Sequence, residues 1–137
     1  MYLVQFGLEA LVMRDDLTYE EFLEVRKIKP HGCRKCPVVM VFEMLQGKWK
    51  NHVINEISMR ENVRFGELKK KLPSITNTML TSTLRELEAE GLVKRQQFNE
   101  IPPHVEYSLT EKSKDLIPIF YGMYVWGLKH LSGFYQK

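Results

Sequence analysis

From Val38 onward the apolar positions fall into short runs of helical or alternating spacing, punctuated by glycine and proline. The clearest run is LPSITNTMLTSTLRELEAEGLVKR, residues 72–95. Pro73 ends one helix, because proline and the residue before it resist α geometry. Ser74 or Thr76 can cap the next through a side-chain oxygen. Leu80, Leu84 and Leu87 then recur at i, i+4 and i+7, one apolar stripe that predicts a helix facing a core. Gly91 stands where a left-handed C-terminal cap belongs, with Leu92 supplying the apolar contact that follows. The stripe leaves Asn77, Thr78, Thr81, Ser82 and Arg85 outward near the helix start, while Glu86, Glu88 and Glu90 crowd its far end. A neutral-polar start with one arginine suits insertion into DNA by the N-terminal end. A plain solvated helix face carries the same residue types, so the pattern alone leaves both readings open.

The flanks extend the pattern. Phe65, Leu68 and Leu72 repeat at helical spacing, with Lys69, Lys70 and Lys71 on the polar side, which predicts a short helix before the Pro73 turn. Val93 to Phe98 reads as a strand carrying Lys94 and Arg95, Asn99 to Pro103 as a tip, and Val105 to Leu109 as the returning strand. Asn62, Val63 and Arg64 supply a short first strand. Helix, turn, helix and β-hairpin in this order make a winged helix. The predicted class is therefore α+β, mostly helical: a winged helix-turn-helix with flanking helices.

Three blocks, CPVVMVFEMLQGKWKNHVINEI, RFGELKKKLPSITNTMLTSTLRELEAEGLVKR and IPPHVEYSLTEKSKDLIPI, together resemble the HxlR-type winged helix-turn-helix transcription regulators of the MarR-like superfamily. The resemblance runs from about Cys36 to Gly127 and rests on several blocks in one order. It implies a homodimer that binds double-stranded DNA at a pseudo-palindromic operator. Thr76, Asn77, Thr78, Thr81, Ser82 and Arg85 would then address base edges or nearby phosphates. Lys48, Lys50, Lys94, Arg95 and His104 would hold the backbone from the second helix and the wing. Where the family often carries a basic residue near Thr78, this chain has threonine, which weakens direct readout from that position. The resemblance also implies that the last helix pairs with N-terminal helices across the dimer.

Ahead of the resemblance, residues 1–35 form an extension expected to serve the dimer, and 36–131 the DNA-binding domain. Met1 to Asp16 is apolar without clear period and fits a packed helix or strand. Thr18 with Glu21 makes a capping box, which predicts a helix from about Tyr19 to Ile28. Cys36 directly precedes Pro37, so it falls at the cap of a helix over Val38 to Leu45, beside Arg34 and Lys35. Helix-end polarity and two cations favour a thiolate there. In HxlR-type regulators a cysteine at this place senses disulfide stress, quinones or aldehydes in several members, which makes a small electrophile or oxidant the candidate effector here. Cys33 could resolve an oxidised Cys36 as a disulfide. Two other readings remain open: Cys36 as a packed small residue, and His31, Cys33 and Cys36 as the start of a metal site without a visible fourth ligand. No cofactor is expected.

Gln46 to Lys50 reads as an interhelical turn, with Trp49 as a core anchor and Val53, Ile54 and Ile57 as the next apolar face. At the wing tip Pro102 and Pro103 stiffen a loop in which Glu100 opposes DNA contact. Tyr107 is expected to pack. Thr110 caps a last helix whose Leu116, Ile117, Phe120, Met123, Tyr124, Trp126 and Leu128 form a surface wider than a small core absorbs; Pro118 predicts a kink in it. A partner helix fits this surface better than a ligand pocket.

With 137 residues, 44% hydrophobic and 27% charged, the chain fits one soluble domain. Net charge is only +3. Residues 1–30 hold four basic against six acidic residues, a balance of −2, while residues 48–95 hold ten against six, a balance of +4. The excess falls where a phosphate-facing surface requires it. No secretory signal or transmembrane run is present, so the expected location is cytoplasmic, with no membrane partner. Two further classes stay open: a winged-helix module that docks a protein, and a Cys33-x-x-Cys36 thiol oxidoreductase. The latter lacks the βαβ context that usually carries a redox CxxC, so the chain is expected not to be an enzyme.

Overall fold

The computed structural model describes residues 15–27, 36–131 and 133. The apolar segment over 1–14, together with His31 and Cys33, lies outside the described residues. Contacts divide the chain into two compact units, Met1–Met44 and Leu45–Lys137.

In the first unit, helix α1 spans Tyr19–Val25. The Thr18 hydroxyl accepts from the Glu21 N–H at 3.2 Å, and the Glu21 carboxylate accepts from the Thr18 N–H at 2.8 Å. Both bonds of the predicted capping box are therefore made. Helix α2, Pro37–Leu45, begins in this unit. The Met40 N–H donates to the Cys36 carbonyl at 3.0 Å, which puts Cys36 at the cap and Pro37 at the first helical position. A proline loses no hydrogen bond there, since that N–H has no partner within the helix.

The second unit runs α3 (Lys50–Ser58), β1 (Val63–Arg64), α4 (Phe65–Lys71), α5 (Asn77–Ala89), β2 (Val93–Phe98), β3 (His104–Leu109), α6 (Glu111–Lys114) and α7 (Ile117–Leu131). Its core is the set of stripes read from the sequence. Val53, Ile54 and Ile57 of α3, Leu68 of α4, and Leu80, Leu84 and Leu87 of α5 are all buried. Full burial of such a side chain contributes about 1.5–3 kcal/mol each, so this apolar stripe is a main part of what holds α5 in place. Trp49 departs from expectation. It is half-buried, with the Lys48 ammonium 5.0 Å from its ring centroid and His52 5.6 Å away, rather than anchored in the core.

The sheet order is β1-β3-β2, all antiparallel. Val93 pairs with Leu109 and the ladder continues to Phe98 opposite His104, leaving a five-residue tip over residues 99–103. Side chains alternate along strands while cross-strand partners share a face. One face therefore carries Val63, Val93, Arg95 and Tyr107. The other carries Lys94, Phe98, His104 and Glu106.

The end of the chain differs from the single kinked helix the sequence suggests. Thr110 caps only the short α6, and a new helix starts at Ile117, which leaves Pro118 in the first turn of α7. Proline in that turn lacks an N–H that would be unpaired anyway, so α7 runs on without a break. Its apolar side chains stay exposed: Tyr121, Met123, Tyr124, Trp126 and Leu128 all stand more than half open, Trp126 at 58%.

Candidate nucleic-acid interface

Helix α5 is set by its two ends. At the start, the Thr76 hydroxyl accepts from the Met79 N–H at 3.1 Å, which identifies Thr76 rather than Ser74 as the cap. At the finish, Gly91 takes φ +72°, the left-handed region that glycine enters without steric cost. The Leu92 N–H then reaches the Leu87 carbonyl at 2.9 Å and the Gly91 N–H the Glu88 carbonyl at 3.0 Å. Those two bonds are the Schellman pattern.

Beyond the glycine, the C-terminal end of α5 is fastened by side chains far along the chain. The Glu90 carbonyl accepts from Lys112 Nζ at 3.0 Å, the Gly91 carbonyl from the Thr110 hydroxyl at 2.7 Å, and the Leu92 carbonyl from the buried Ser113 hydroxyl at 2.5 Å. From the opposite direction, Lys50 Nζ lies 2.6 Å from Glu90 Oε1 and 3.5 Å from Glu86 Oε2. The Lys50 side chain is only 11% exposed. Its hydrogen bond to Glu90, aided by the charges of Glu90 and Glu86, raises its pKa above the ordinary lysine value against the opposing effect of burial.

The N-terminal half of α5 is the free end. Thr76, Asn77, Thr78 and Ser82 are all exposed there and Thr81 is half-buried; Arg85, past the middle of the helix, is exposed as well. The Thr81 hydroxyl donates to the Asn77 carbonyl at 2.8 Å, which leaves its oxygen only an acceptor toward anything outside. Arg85 meets Arg95 of the wing across a concave pocket that also includes Thr81, Glu88 and Tyr107.

The other predicted residues of the second unit do not join this face. Lys94 alternates to the far side of the sheet, beside Arg60, Ser108 and Lys114. Lys50 binds the last turn of α5, about 18–20 Å along the axis from its reading end at 1.5 Å per residue, and Lys48 covers the Trp49 ring. His104 stacks on Phe98 with ring centroids 4.7 Å apart. Its two nitrogens face Glu100 at 4.0 Å and Glu106 at 3.4 Å, and its side chain is 17% exposed. Cys36 is exposed, at the cap of α2 in the other unit.

Two features escape the sequence reading. Lys70 and Lys71 are exposed at the end of α4, directly before the turn into α5, and their signal was the Lys69–Lys71 run. The Lys50–Glu90 clamp spans forty residues and leaves no local trace. Among the described residues no group of three or more His, Cys, Asp or Glu side chains could hold a metal ion, and no helix is long and apolar enough to cross a membrane.

This geometry coincides with a family. Residues 44–134 match the model of the HxlR-like helix-turn-helix proteins. The chain is 40% identical over 104 residues to an uncharacterized HTH-type transcriptional regulator of Halalkalibacterium halodurans, which covers 76% of this chain and 92% of the relative. Among solved structures it resembles the redox regulator HypR in its oxidized form, with TM-score 0.63 and 43% identity over 69% of this chain and 97% of that one. It also resembles a transcriptional regulator of the MarR family from Porphyromonas gingivalis W83, with TM-score 0.66 and 34% identity over 74% and 99% of the two chains.

Proposed function

The chain belongs to the HxlR-like helix-turn-helix family of transcriptional regulators, and on that premise we propose that it works as a homodimer on a pseudo-palindromic operator in double-stranded DNA, with Cys36 as its thiol sensor. The observation that carries DNA binding is the asymmetry of α5. Its C-terminal end is fixed by Lys50, Thr110, Lys112 and Ser113, while its N-terminal half presents Asn77, Thr78 and Ser82 to solvent and Arg85 follows past the middle of the helix. A helix held at one end and open at the other is preorganised to enter a major groove N-terminus first. Asn77, Thr78 and Ser82 are the base-edge candidates, with Thr81 restricted to accepting from a base amino group.

The backbone set is smaller than the sequence suggests. Arg95 of the wing and Lys70 and Lys71 at the end of α4 flank the reading end. Lys50 belongs to the clamp. His104, placed between two carboxylates, makes a poor phosphate ligand, and Lys94 faces away from α5.

The exposed apolar length of α7 supports the dimer, since such a surface on a small domain marks an interaction site. A two-fold dimer would present two α5 helices about 34 Å apart, one turn of DNA. The exposed Cys36 at the cap of α2 supports a thiol response, and the resemblance to a redox regulator points the same way. The test is binding to the DNA upstream of the protein's own gene, and to duplexes selected from a random pool, before and after mild diamide. Reduced protein should bind a specific duplex with strong salt dependence. Oxidation should change that affinity in the wild type and leave Cys36→Ser unaltered. Specific binding indifferent to oxidant would remove the sensor and keep the regulator; no selected duplex would remove the regulator.

A further inference from the structure

The major and minor grooves of DNA are separated by a single sugar-phosphate strand. A protein that places a helix in one groove and a wing over the next must pass that strand between the two elements. In this protein the space between α5 and the hairpin is the pocket of about 370 Å³ that includes Thr81, Leu84, Arg85, Glu88, Arg95 and Tyr107. Its floor is rigid: Leu84 is 1% exposed, and Arg95 is held in register opposite Tyr107 in the β2–β3 ladder. Its cations come from different elements, Arg85 from α5 and Arg95 from β2. Among the described residues neither guanidinium takes part in an ion pair within 4.0 Å, so both are available to an anion. Glu88 is the one carboxylate in the lining, which leaves the empty pocket with a charge of +1 on these groups.

Position along the helix separates two roles for Arg85. It stands eight residues beyond Asn77, about 12 Å up the axis at 1.5 Å per residue. A helix entering end-on passes a major groove only about 8.5 Å deep, so its ninth residue stands level with the backbone rather than with base edges. A guanidinium is also suited to a phosphate by its planar fork of donors. We infer that Arg85 and Arg95 jointly grip one DNA backbone phosphodiester, the one passing between recognition helix and wing, and that Arg85 positions the protein rather than reading a base. This rests on the DNA-binding reading above.

The test uses the full chain, a duplex selected from a random pool and a scrambled duplex of equal length. Binding is followed by fluorescence anisotropy across a salt series for wild type, Arg85→Gln, Arg95→Gln and the double variant. Each single variant should weaken binding about tenfold or more at low salt, as loss of a charge-assisted hydrogen bond does, and by the same factor on both duplexes. The double variant should lower the salt slope by about 0.9, the value for one phosphate. Each single variant, which leaves one arginine on that phosphate, should lower it by less. A scan of single methylphosphonate substitutions should find one position per half-site that weakens the wild type and leaves the double variant unchanged. A loss for Arg85→Gln confined to the selected duplex would make Arg85 a base reader and overturn the inference. A slope falling by about two in the double variant would assign the arginines to separate phosphates and also overturn it. Unchanged slopes with intact wild-type binding would sink the inference alone, whereas absence of wild-type DNA binding would sink the functional reading beneath it.

Discussion

Lys50 offers the sharpest check on how α5 is held. Its ammonium sits 2.6 Å from Glu90 and 3.5 Å from Glu86, with its own side chain 11% exposed and the two carboxylates 32% and 57% exposed. An exposed ion pair is worth about 0.2–1 kcal/mol, and breaking a fully buried one costs about 3–5 kcal/mol. This pair stands between those limits, because water reaches the carboxylates more than the ammonium. A second contribution comes from the helix itself. Glu86 and Glu90 lie at the negative end of the α5 dipole, an arrangement that costs about 0.3–1 kcal/mol per charge when uncompensated. Glu90 Oε2 is already enclosed without a hydrogen-bond partner, so loss of Lys50 leaves that carboxylate worse placed still.

Lys50→Met, which keeps the aliphatic stem, should therefore destabilise the protein by about 2 kcal/mol. At about 4 °C per kcal/mol for a domain of this size the melting temperature should fall by about 8 °C. Urea unfolding followed by circular dichroism gives the free energy, and a cycle with Glu90→Gln isolates the pair. The pH dependence has a definite sign. The folded pKa of Lys50 lies above its ordinary value of 10.5, so its contribution is complete below that pH and fades as pH rises through the higher folded value. The gap between wild type and Lys50→Met should hold from neutral pH upward and narrow only above about 10.5. A variant within about 0.5 kcal/mol of wild type, or a cycle without coupling, would refute the clamp.

Other perturbations separate the remaining parts of the account. Thr76→Ala should cost about 1 kcal/mol by removing the cap of α5, seen as a lower urea midpoint with an unchanged slope. Gly91→Ala should cost about 1–2 kcal/mol, because alanine resists the left-handed conformation; a neutral result would mean that the Schellman turn relaxes. Trp126→Asp, in the exposed apolar face of α7, should convert the dimer to monomer in light scattering, and a persistent dimer would place the interface elsewhere.

Much of this architecture was legible because it is local. The Leu80, Leu84 and Leu87 stripe, the Pro73 stop, the Gly91 finish and the strand signal over residues 105–109 each operate within a few residues, and the fold follows them. Helix, turn, helix and hairpin in that order already read as a winged helix, and the family blocks tied it to the HxlR-type regulators. The site was less legible because its selection is non-local. Lys50 and Lys94 look like any surface lysines, yet one is captured forty residues away by Glu90 and the other is turned aside by strand alternation. His104 reads as a wing cation until Phe98 and two glutamates enclose it. Pro118 reads as a kink because the break between α6 and α7, at Asp115 and Leu116, carries no strong local signal.

Two copies of α5 should read a two-fold operator. Hydroxyl-radical footprinting of the reduced protein on a duplex recovered from a random pool tests it most directly. Protection should appear in two equivalent half-sites on one face of the duplex, centred about 10–10.5 base pairs apart or a multiple of that. Protection without two-fold symmetry, or a footprint that appears equally on scrambled DNA, would contradict it.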